Sequence, residues 1–381
     1  MKTWHIITTA LIIIAFTGCA GDGGKPSAGS PFVGGTNGVL MSFIEGNPPA
    51  EVTDGEQFPF KVVVKLKNDG EATIPAGWMK LSLSGIDPVE FSAKESDMSQ
   101  PTGEEEKLIR TYKDVEGNTI EGGTAYISFP PNDDDSFNYK GSLSGNMPFT
   151  IRADACYRYG TMATSKLCLK RNVLEPDKEG VCKVTESKAV YNSGGPVQIT
   201  SLQEGVGGRN RISFTFTVAH KGNGNMYQPE EIDRGHDYDW KTLGCGRKKI
   251  TLNADSGSTI AYTENLLKKD KPLLIIDTGI KPGDNTKGLS CPGITEANDW
   301  SRSDVEDDLQ TMFGAKPKGD ADGMVVGYLP IYSGERTITC TQDIPDDLAT
   351  ESAETVINIY LIYDYLEDIS TQVLVKHVST E

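Results

Sequence analysis

Short runs of alternating apolar and polar residues fill most of this 381-residue chain. Phe58-Pro-Phe-Lys-Val-Val-Val-Lys-Leu-Lys67 puts its apolar side chains on one face of an extended strand, and Asn68-Asp-Gly70 stops it as a turn. Val39 to Ile44, ahead of it, reads as a strand followed by a turn-rich Asn-Pro-Pro segment. The order recurs further on. Val197 to Leu202 leads through Gly205-Val-Gly-Gly208 to Ile212-Ser-Phe-Thr-Phe-Thr-Val218, which Lys221-Gly-Asn-Gly224 ends. These glycines are expected where hairpin turns require positive φ, so they read as turns and not as a phosphate cradle.

The repeat is clearest at the ends of the two copies. Cys156-Tyr-Arg-Tyr-Gly-Thr through Lys170-Arg171 aligns without a gap on Ile362-Tyr-Asp-Tyr-Leu-Glu through Lys376-His377. Tyr157 falls on Tyr363, Tyr159 on Tyr365 and Lys170 on Lys376. Upstream, Asn146-Met-Pro148 matches Asp343-Ile-Pro345. A period this long means two copies of one domain and not a solenoid. Short strands between Gly, Pro and Asn turns predict an all-β fold of two tandem antiparallel sandwiches, over residues 38–190 and 191–381. The stretches FKVVVKLKNDG and ISFTFTVAHKGNG resemble the strand-then-turn element of bacterial and archaeal cell-surface Ig-like domains of the CARDB type. That resemblance implies Ig-like sandwiches and an adhesion-related role.

Copy two carries an expected insertion at about 228–330. Within it, Ser303-Asp-Val-Glu306 has the spacing of a capping box, Val305, Leu309 and Met312 fall on one helical face, and Gly314 can end the helix. A short helix packed on the sandwich is therefore predicted.

One apolar run is of another kind. Ile6 to Phe16 follows Lys2, is too short for the roughly 20 residues that cross a bilayer, and leads to Phe16-Thr-Gly-Cys19. It resembles the lipobox of prokaryotic lipoproteins. The resemblance implies a signal peptide over residues 1–18 and a lipid on Cys19, which would hold the protein on a membrane facing away from the cytoplasm. Residues 19–37, rich in Gly, Ser and Pro, form the flexible tether.

Composition fits this placement. The formal net charge is −17, and removing residues 1–18, which carry Lys2 and no acid, makes it one unit more negative. Such a surface argues against nucleic acid and against docking to anionic headgroups. Beyond Cys19 remain Cys156, Cys168, Cys182, Cys245, Cys291 and Cys340, an even set suited to disulfides in an oxidising compartment. Zinc is the competing reading, but no CxxC pair occurs and the histidines lack ligand spacing. Cys156 and Cys168 lie symmetrically about Met162. A five-residue loop over 160–164 would set them opposite each other in a hairpin, with Cys182 the rival partner for either.

Candidate chemistry is sparse. Asp133, Asp134 and Asp135, and Asp320 with Asp322, qualify by composition as weak calcium loops, yet the second run lacks the downstream glutamate of an EF-hand. His236, Asp237, Asp239 and Trp240 gather an imidazole, carboxylates and an aromatic that suit a sugar or a metal. No GxSxG, P-loop, HExxH or paired Cys/His pattern is present. The expected function is a non-catalytic surface lipoprotein, without a required cofactor, that binds a protein or glycan partner or scaffolds an envelope assembly. Two alternatives stay open. One is a solute-binding or hydrolytic lipoprotein using the insertion as its site, and the other is a self-assembling filament or surface-layer subunit.

Overall fold

A computed structural model describes residues 29–170, 182–208, 210–229, 243–245, 249–253, 259–263, 268–281, 283, 286–318, 323–345 and 353–378. The fold is all-β, and each half builds two facing sheets from six strands taken in the same chain order. In half one, Val39–Phe43, Val62–Asn68 and Thr124–Phe129 form one sheet, with Val62–Asn68 in the middle. Met79–Ser84, Ser99–Pro101 and Met147–Leu169 form the other, with Met79–Ser84 in the middle. Half two repeats the first set with Val197–Gly208, Arg211–His220 and Glu335–Asp343. It repeats the second with Leu273–Asp277, Met324–Tyr328 and Ala353–Lys376. First, second and fifth strands facing third, fourth and sixth is an Ig-like order.

An Ig-like sandwich normally closes its sixth strand with a seventh. Here the two sixth strands close each other. Met147–Leu169 and Ala353–Lys376 pair antiparallel from Leu169 opposite Ala353 to Met147 opposite Val375, a ribbon with a contour of roughly 75 Å at about 3.3 Å per residue. The outcome is a ten-stranded sheet and one hydrophobic cluster that runs from Val39 to Val375. Residues Pro31–Glu381 form one compact unit. The expected boundary between 190 and 191 thus marks where the strand order begins again, not a gap between two separate bodies.

Three further expectations need correction. The terminal hairpins are unbroken strands, because Gly160 serves a close approach and not a turn. A Cβ there would stand 3.0 Å from Phe313 Cζ and 3.1 Å from Met312 Sδ on the helix that packs over it. With residues 156 and 168 in one strand, roughly 40 Å apart at full extension, Cys156 cannot reach Cys168. The disulfides are Cys156–Cys245, Cys168–Cys182 and Cys291–Cys340, so the rival partner for Cys168 is the one taken. The stretch 228–330 is not one insertion, since it contains the third and fourth strands of half two; the extra chain lies between 220 and 273 and between 277 and 324.

The helix is Arg302–Phe313, with Val305, Leu309, Met312 and Phe313 buried. Its cap is Ser301 with Asp304, two residues ahead of the expected pair, which leaves Glu306 free to bind Arg302 at 2.7 Å along the helix. Gly314 ends the helix with φ 67° and donates its N–H to the Gln310 carbonyl.

The matched tyrosines explain why the halves meet as they do. The register sets Tyr157 opposite Tyr365 and Tyr159 opposite Tyr363, with Arg158 opposite Asp364 between them. Strand alternation puts the four tyrosines on one face, and all are fully buried. Each hydroxyl finds an equivalent partner in its own half. Val39 N–H donates to Tyr157 Oη at 3.2 Å and Val197 N–H to Tyr363. Tyr159 donates to Asn68 Oδ1 at 3.0 Å, while Tyr365 Oη lies 2.9 Å from His220 Nε2, the last residue of the matching strand. The glycines that end these strands are fixed by the same contact: a Cβ at Gly70 or Gly222 would collide with the hydroxyl of Tyr159 or Tyr365.

Candidate binding cleft at the seam

Where the halves join, an open cleft of about 220 Å3 is lined by Asn37, Val39, Leu40 and Met41 from half one and by Asn223, Gly224, Glu367, Asp368 and Ile369 from half two. Alternation along Ala353–Lys376 continues the face of Tyr363 and Tyr365 to Glu367, so a carboxylate stands at the mouth of the buried tyrosine cluster. Tyr157 donates its hydroxyl proton to Glu367 Oε2 at 3.0 Å. Burial raises the Glu367 carboxyl to about 7, against the opposing effect of that hydrogen bond. Desolvation also lowers His220, which lies behind the cleft against Tyr365, below its ordinary value.

The rest of the cleft is held in place by its own contacts. Asn37 Nδ2 donates to Asp69 Oδ2 at 2.9 Å, and Arg152 pairs with Asp368 at 3.2 Å and with Asp154 at 2.8 Å. Gly224 donates its N–H to Tyr365 Oη at 2.9 Å, and a Cβ there would stand 2.7 Å from the Tyr365 ring. Chemically the cleft offers a carboxylate that titrates near neutrality, side-chain amides and an aliphatic wall of Val39, Met41 and Ile369. Such a surface can hold hydroxyl or amine donors over a small apolar group.

Residue-level reading missed this site. A signal was present in the repeat, since the gap-free alignment puts Glu367 on Thr161. The hydroxyl of Thr161 lies 2.9 Å from Tyr363 Oη, the counterpart of the Glu367–Tyr157 bond, but Thr161 is fully buried with Gly195 packed on it. One of two equivalent positions is closed and the other is open.

The expected site residues fare differently. Cys19, His236, Asp237, Asp239, Trp240, Asp320 and Asp322 lie outside the described residues. Asp133 and Asp134 are exposed, and Asp135 accepts a hydrogen bond from Asn132 Nδ2 at 2.8 Å. Among the described residues, no three His, Cys, Asp or Glu side chains converge as a cation site would need. Three disulfides suit an oxidising, extracellular environment. No helix among the described residues is long and apolar enough to cross a membrane. No protein-family model matches the chain, and no curated protein matches it.

Proposed function

We propose that this chain is a non-catalytic cell-surface lipoprotein, anchored through Cys19, that binds a protein or glycan partner through the cleft at the seam of its two halves. The observation that carries the reading is Glu367. A partly buried carboxylate raised to about 7 beside a concave, mixed polar and aliphatic surface is how recognition sites are commonly built. The cleft is below the roughly 300 Å3 at which pockets begin to enclose drug-sized ligands. It suits one sugar ring or one side chain of a larger partner. The Lys2, Ile6–Phe16 and Cys19 pattern with its Gly- and Ser-rich tether supports the anchored placement.

Binding of purified protein to envelope fractions and to a glycan array, with and without Glu367→Thr, tests the reading. That change copies half one at the equivalent position. A loss of tenfold or more, about 1.4 kcal/mol, is expected, together with weaker binding below pH 7 as the carboxyl takes up its proton. Unchanged binding by Glu367→Thr would remove the cleft from the reading.

A further inference from the structure

The four central tyrosines do not distinguish the halves from each other. Tyr157 and Tyr159 on one strand face Tyr365 and Tyr363 on the other, so two copies of either strand, paired with each other in the same register, would keep a tyrosine opposite a tyrosine. The residue between the tyrosines differs. Arg158 and Asp364 stand directly opposite on the other face, both side chains 0% exposed, with Arg158 Nε 2.9 Å from Asp364 Oδ1. Asp364 Oδ2 also accepts the Gly244 N–H at 2.6 Å. The guanidinium lies 6.0 Å from the Trp78 ring and 5.8 Å from that of Trp300.

The alignment lays Arg158 on Asp364, so this pair sits on the local two-fold relation between the strands, where a symmetric pairing would set a residue against its own copy. We infer that the Arg158–Asp364 pair dictates which final strands can join: half one to half two, and never like to like. Joining two copies of Met147–Leu169 would place two guanidinium groups on opposed positions, with Cα atoms about 4.5–5.5 Å apart, in a site buried from solvent. Joining two copies of Ala353–Lys376 would do the same with carboxylates, which cannot both stay ionised there. Within one chain the correct partner is supplied by the link between the halves, at high effective concentration. Between chains, strand exchange is restricted to half one of one copy with half two of another. Exclusion of the wrong partner by repulsion, across a set of tyrosines that is itself indifferent to it, is the general logic of pairing specificity.

The test uses full-length chains carrying Arg158→Asp, Asp364→Arg, or both changes, followed by size exclusion, native mass spectrometry and thermal unfolding. Each single change sets like charges against each other and is expected to abolish the monomer peak. The double change restores opposite charges and is expected to recover the monomer, with a lower melting temperature than the parent because the Gly244 N–H loses its acceptor. The decisive arm refolds the two single variants together. One carries a carboxylate in both halves and the other a guanidinium in both, so a one-to-one heterodimer is expected that neither variant gives alone. Single variants that stay monomeric with the parent's melting temperature, a double variant no better than the worse single one, or a mixture without heterodimer would each overturn the inference.

Discussion

Half one and half two share a frame and differ at a few positions of that frame. The shared part is the six-strand order, the Tyr-X-Tyr at the centre of the last strand and the glycines that clasp the tyrosine hydroxyls. Two of the differences change charge at the contact between the halves. Arg158 in half one answers Asp364 in half two, and Thr161 answers Glu367. A frame of close contacts tolerates little change in volume. Charge differs without altering the strands at two places, once at the joint and once at the mouth of the cleft. The teaching is that the joint and the candidate site belong to neither half alone.

The strongest way to break the comparison is at the joint. Asp364→Ala leaves the Arg158 guanidinium buried without its carboxylate and is expected to cost about 3–5 kcal/mol in denaturant unfolding. Replacing both residues together, as Arg158→Met with Asp364→Leu, should cost far less, because no charge is left stranded. A single variant within about 1 kcal/mol of the parent would show that the pair is hydrated and does not act as the joint.

Acid titration comes next, because two carboxyls near the contacts between halves are raised by burial. Glu204 of half two is fully buried, accepts the Cys168 N–H of half one at 3.0 and 2.9 Å, and is raised to about 7 by burial in spite of Lys188 at 3.2 Å. A carboxyl with a raised folded-state value stabilises the fold most when protonated. Its contribution is therefore complete below its unfolded value of about 4.3 and is lost as pH rises through 7. Stability is expected to fall by about 3 kcal/mol across that window from Glu204, and by about 1–2 kcal/mol from Glu367, which solvent reaches. Glu204→Gln and Glu367→Gln should each flatten the slope. A profile identical to the parent's in either variant would show that the residue is ionised in both states.

The finest comparison removes one hydroxyl from each half. Tyr159→Phe strands the buried Asn68 Oδ1, and Tyr365→Phe strands the half-buried Gly224 N–H, so each should cost about 1–2 kcal/mol as a polar group loses its partner. Similar losses would mark the tyrosines as equivalent parts of one frame. A large loss in one half only would mean that the equivalence is geometric and not energetic.

Much of the frame was legible because it is local. Alternation along Val62–Asn68 and Arg211–His220 has only one extended solution, and Gly70 and Gly222 marked the ends of these equivalent strands. The helix face of Val305, Leu309 and Met312 followed from periodicity, although its cap slipped by two residues because Ser301-Arg-Ser-Asp304 offers the same spacing as Ser303-Asp-Val-Glu306. Gly160 misled for a definite reason. A glycine in a strand pattern can mark a turn or a close approach, and only the helix lying on it decides between them.

The alternating strands at the start of each half, their repetition and the oxidising environment suited to the cysteines were therefore set by the amino-acid sequence itself, through periodicity, turn chemistry and an even number of thiols. Tertiary structure alone decided that the last strands run unbroken and pair with each other, that Cys156 joins Cys245, and that Glu367 opens into a cleft while Thr161 is sealed. The reason is range. Alternation and turns are fixed by neighbours a few residues apart, whereas the partner of an open strand edge is fixed by whichever edge left unsatisfied lies nearest in space, here more than two hundred residues away along the chain.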